Sequence, residues 1–179
     1  MNVRAIFGLG VLISFVSSAV IAKLYVWPWL QAKARREALV PLVAPHMLLR
    51  FVGLSFLVPG VVSSALPASF TFPAAYGDFA AGVLAIIATV ALARRASWAV
   101  AAVWTFNIWG AADLLLAFYE AAHAGVGSHP GMFGAAYYIP TAIVPPLLVT
   151  HILIFGQLVR QPAWRAVETG ASSGASVMG

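Results

Sequence analysis

The chain has 179 residues, 62% of them hydrophobic and 8% charged, with a net charge of +5 and no cysteine. A soluble domain carries about 25% charged residues, so a water-surrounded globule is excluded and lipid is the implied solvent. Disulfides, iron–sulfur clusters, thiolate metal sites and cysteine nucleophiles are excluded with the cysteine, and bases held in short clusters without interleaved aromatics argue against nucleic-acid binding.

Five apolar segments follow one another. They run from Ala5 to Tyr25, from Leu39 or His46 to Leu66, from Ala74 to Ala93, from Trp98 to Ala121 and from Ala135 to Val159. Each reaches the roughly 20 residues that a helix needs to cross the hydrocarbon core. Transmembrane strands would alternate apolar with polar over about 10 residues, and runs such as Gly82–Ala91 do not alternate. The fold class predicted is all-α, a polytopic bundle of about five helices. Residues 1–167 form its single domain, and residues 168–179, rich in Gly, Ser and Ala, form a disordered tail. The first segment is too long for a signal-peptide core and reads as an uncleaved helix.

Orientation is read from the bases. Lys23, Lys33, Arg35 and Arg36 surround the first connection, Arg94 and Arg95 lie in the third, and Arg160 and Arg165 follow the fifth segment. The second and fourth connections hold no Lys or Arg. Bases stay on the cytoplasmic side, so the N-terminus is expected outside and the C-terminus inside, with Arg4 the one dissenter. Trp27, Trp29, Trp98 and Trp164 read as interface anchors. The alanine-rich, lysine-poor usage suggests a bacterial inner membrane.

Polar residues at membrane depth are costly and mark interior contacts or function. In the second segment, His46, Arg50, Gly53, Leu57, Gly60 and Ser64 recur at steps of four and three, one stripe of a helix. Pro59-Gly60 predicts a kink or a break there. Two readings of this stripe stay open. Arg50 snorkels to the headgroups with His46 at the interface, or both turn inward to hold an anionic group or to pair with Asp113. In the third segment, Asp78, Gly82, Ala85 and Thr89 share a face suited to close packing, and Asp78 reads as a carboxylate favoured near a helix N-terminus.

In the fourth segment, Thr105, Trp109, Asp113, Leu116 and Glu120 share a face, and Asn107, turned about 120° away, reads as a helix–helix hydrogen bond. In the fifth, Tyr137, Thr141, Val144, Leu148 and His151 share a face interrupted by Pro140, Pro145 and Pro146. Each proline frees a carbonyl that could line a cavity. Glu120, His123 and His129 draw a weak metal site whose spacing matches no zinc motif.

One reading joins these faces. The second, fourth and fifth helices enclose a pocket with His46, Arg50 and His151 in its cytoplasmic half. Asp113, Thr141 and Tyr137, with Asp78 beside them, occupy its outer half. Trp104, Phe106 and Trp109 form apolar walls. Apolar walls with a few convergent polar groups suit a small amphipathic ligand such as a quinone, isoprenoid or lipid, which the protein binds or transports. Three alternatives remain open. One is a membrane-embedded acid–base enzyme using Asp113 or His151. Another is a b-type haem protein with His46 and His151 as axial ligands. The last is an accessory subunit of a larger complex, with a homo-oligomer also open.

Overall fold

The computed structural model describes residues 2–160; the tail expected over residues 168–179, and Trp164 and Arg165, lie outside them. Five helices are long and apolar enough to cross a membrane: α1 (Val3–Gln31), α2 (Arg35–Leu57), α3 (Ala68–Ala93), α4 (Ala99–His123) and α5 (Ile139–Val159). Among the described residues there is no strand. The chain is an all-helical, multi-pass membrane protein.

Proline and its accommodation shape three of the five. In α1 a π-helical turn over Ala22–Val26 precedes Pro28, a widening that makes room for a ring that would clash with a carbonyl one turn back. In α5 Pro140 stands at the start of a π-helical turn over Ile139–Ile143, where a missing N–H costs nothing, and that widened turn precedes Pro145 and Pro146 as the one in α1 precedes Pro28. In α2, an α-helix over Arg35–Val43 contains Pro41, and Pro45 precedes a short helix His46–Leu49 that tightens to 3-10 over Arg50–Leu57.

The helix boundaries depart from the sequence expectation. α2 starts at Arg35, before either anticipated start, and stops at Leu57. Val58 turns extended because the residue before a proline is driven out of the helical region, and Gly60 follows at φ +86°. Gly60 and Ser64 therefore leave the anticipated stripe. α3 starts at Ala68 rather than Ala74 and carries Pro73 within it.

Arg35, Arg36 and Arg160 gather at one end. Arg36 donates to the carbonyl of Ala93 at 2.9 Å and to that of Leu92, closing the C-terminus of α3. Arg160 donates to Gln31 at 3.0 Å and Leu30 at 3.4 Å, closing α1. Arg35 donates to the Arg160 carbonyl. Cations at helix C-termini satisfy carbonyls with no partner of their own and oppose the negative end of the macrodipole. Two apolar clusters fill the bundle. The one nearer the basic end is built around Leu39, Val43, Ala88, Phe106 and Ile154. The one nearer the opposite end is built around Phe56, Phe70, Leu114, Phe133 and Leu147.

Candidate functional site

Between the two apolar clusters lies a polar layer centred on Arg50. Its side chain is fully buried, which overturns the snorkelling reading. Nη1 donates to Asp78 and, at 2.8 Å, to Asp113. Nη2 donates to the Gly110 carbonyl and lies 3.4 Å from His151 Nε2. Arginine has no acceptor, so His151 accepts at Nε2 and carries its hydrogen at Nδ1. That hydrogen points at Asn107 Oδ1, 2.7 Å away, and Asn107 Nδ2 donates to the His151 carbonyl at 3.2 Å. The His46 ring packs on that of His151 with centroids 4.6 Å apart. Its Nε2 is 2.8 Å from Thr150 Oγ1. Because that hydroxyl already donates to Leu147, it accepts from His46, and His46 Nδ1 is left without a partner, as is Arg50 Nε.

Glycine makes the layer possible. A Cβ at Gly53 would run into the Asp78 carboxylate, and one at Gly110 would sit 2.6 Å from His151 Cε1 and 2.9 Å from Arg50 Nη2. Asp78, read as a helix-end carboxylate, is instead buried more than two turns into α3. One guanidinium facing two ionised carboxylates has a formal sum of minus one in apolar surroundings. Such a charge is costly when uncompensated.

A cavity of about 340 Å³ lies on the far side of this layer from the basic end, with Asp78 and Leu114 at its inner limit. Its walls are Phe7 and Gly8 of α1, Phe56 of α2, Phe70 and Ala74 of α3, Ala117 and Phe118 of α4, and Ile139 and Val144 of α5, with Phe133 of the last connection. Its exposed lining residues are Arg4, Gly8, Ala122, Gly125 and Ser128. The mouth therefore lies between the N-terminus of α1 and the C-terminus of α4.

The anticipated site residues divide. Arg50, Asp113, His46 and His151 come together, as the inward reading expects, but only Asp78 of the layer reaches the cavity. Trp109 is 50% exposed and faces away from the bundle interior, its indole reaching back to the Gly77 carbonyl at 3.4 Å. Thr141 is buried but spends its hydroxyl on the Tyr137 carbonyl at 2.8 Å, and Tyr137 packs against Phe7. Phe106 covers the two histidines, and Trp104 packs on Phe155. The inward face of α4 is Val103, Phe106, Asn107, Gly110 and Leu114, one step round from the face read in sequence. Gly110, Thr150 and the phenylalanine walls were missed.

Axial histidines grip an iron from opposite faces of a porphyrin. The His46 and His151 rings touch one another, so this arrangement has no slot for the macrocycle between them. Among the described residues no three His, Asp or Glu side chains converge as a metal site, Glu120, His123 and His129 included.

Residues 6–159 match the family described as Domain of unknown function (DUF8737), and the chain belongs to it. No curated protein and no solved structure matches the chain.

Proposed function

We propose that this protein binds a small amphipathic, lipid-like molecule in the cavity, with the ligand's polar end toward Asp78. A quinone, an isoprenoid or a lipid has the required form. The observation that carries this reading is the cavity of about 340 Å³, apolar along its walls and ending on a buried carboxylate. Ligand sites are typically clefts of about 300–1,000 Å³ with few, convergent polar groups. Under the expected orientation in a cell membrane, the mouth opens at the outer face, within reach of molecules dissolved in that leaflet. An acid–base enzyme needs a donor and an acceptor on opposite sides of one ligand. Asp113, His46 and His151 all stand outside the cavity lining, so binding is favoured over that reaction.

The test is a thermal-shift titration of the detergent-purified protein with decylubiquinone, farnesol and a short-chain phospholipid. Stabilisation by at least one is expected, growing with concentration as linkage requires. Ala117→Phe with Ala121→Phe fills the cavity from α4 and should remove the effect. Equal stabilisation of the filled variant would refute the site.

A further inference from the structure

We infer that the cavity selects a cation, so that its ligand carries an ammonium head on a hydrocarbon body. This rests on the binding role proposed above and names its ligand class.

Two independent features point the same way. The first is charge. Arg50 faces Asp78 and Asp113 together, and with both carboxylates ionised the formal sum of the three is minus one. Asp78 is the member that lines the cavity. A cation at the inner end brings the sum to zero in a place where an uncompensated charge is costly. An anionic head would add to the excess, and a neutral head would leave it. The second is the wall. Phe7, Phe56, Phe70 and Phe133 all line the cavity. They interlock: Phe56 meets Phe70 edge-on at 5.3 Å, Phe70 meets Phe133 edge-on at 5.8 Å, and Phe7 stacks on Phe133 at 5.8 Å. Aromatic faces are electron-rich, and rings around an apolar space recognise quaternary ammonium groups.

The one base on the lining, Arg4, is exposed. It stands at the mouth, across the cavity from Asp78, where its field is screened by salt. An ammonium head is shared by choline lipids and by free lipophilic amines.

The experiment is a calorimetric titration of the full chain in maltoside micelles with three probes of one chain length. These are octyltrimethylammonium, its neutral isostere with carbon in place of the ammonium nitrogen, and octylphosphocholine. A cationic or choline-headed probe should bind about tenfold or more tightly than the isostere, the preference expected for a desolvated cation among aromatic rings. Tighter octylphosphocholine points to a lipid headgroup, tighter octyltrimethylammonium to a free amine. Asp113→Asn removes the excess charge without touching the lining and should bring the ratio towards one. Phe70→Leu keeps the apolar volume and should lower the ratio too, which gives a second reading if the first variant does not fold. Equal affinity of cation and isostere in the wild type overturns the inference and leaves the binding role standing. So does binding of farnesol or decylubiquinone with no binding of the charged probes. No binding by any probe overturns both.

Discussion

Arg50 is fully buried and donates to two carboxylates, a carbonyl and a histidine. Arg50→Leu would leave Asp78 and Asp113 facing each other without a counter-ion. Breaking a buried pair in this way costs about 3–5 kcal/mol, measurable as a shift in a denaturant titration in mixed micelles. Replacing the whole set, Arg50→Met with Asp78→Leu and Asp113→Leu, should recover most of that loss, since apolar residues of similar volume often serve as well for stability. A triple variant as unstable as the single one would contradict this account of the layer. Asn107→Leu strips His151 of both its hydrogen bonds to Asn107 and should cost about 1–3 kcal/mol, the penalty for a buried polar group left unpaired. Arg50 and Asp113 were legible because each is the conspicuous charge of its segment. Asp78 was not, because a helix begun at Ala74 places it near an end, whereas Pro73 is tolerated inside α3 and five residues of the helix precede that proline.

Helices were legible from their apolar runs alone, since lipid leaves the backbone no other way to satisfy its hydrogen bonds along such a segment. Their limits were not, because these depend on contacts between distant segments. Gly134, at φ +51°, lies so close to the Val61 carbonyl that a Cβ would strike it, and Ala135 donates to that same carbonyl at 3.0 Å. The two base-free connections thus pack on each other, a relation no local pattern announces. The close approach of Gly110 on α4 to the side chains of His151 and Arg50 gives a prediction at this scale. Gly110→Ala should push His151 and Arg50 apart and destabilise the bundle by about 1–3 kcal/mol, as overpacking does, whereas Ala112→Gly on the exposed face should cost only about 1 kcal/mol through helix propensity. Comparable losses for the two would show that the layer yields easily to the added methyl.

Two apolar clusters lie on either side of a charged layer, and the phenylalanine-walled cavity is on the side away from the basic end, so the two ends of the molecule differ. The cavity itself could not be read from the sequence. Its walls come from all five helices and a connection, and the phenylalanines involved resemble any others in an apolar run. Its direction in the membrane is proposed from the placement of the bases. The absence of native cysteine makes each introduced cysteine a unique label. With the N-terminus outside, Ser64→Cys and Ser128→Cys should react with an impermeant maleimide in intact cells, and Ala34→Cys and Ala96→Cys only after lysis. The reverse pattern would place the cavity mouth on the cytoplasmic side. The central claim is an occupied intramembrane pocket, and native mass spectrometry of protein released from its own membrane tests it most directly. The wild type should carry an adduct of lipid-like mass that Ala117→Phe with Ala121→Phe abolishes; a wild type without an adduct, or an adduct that survives the filled cavity, would contradict it.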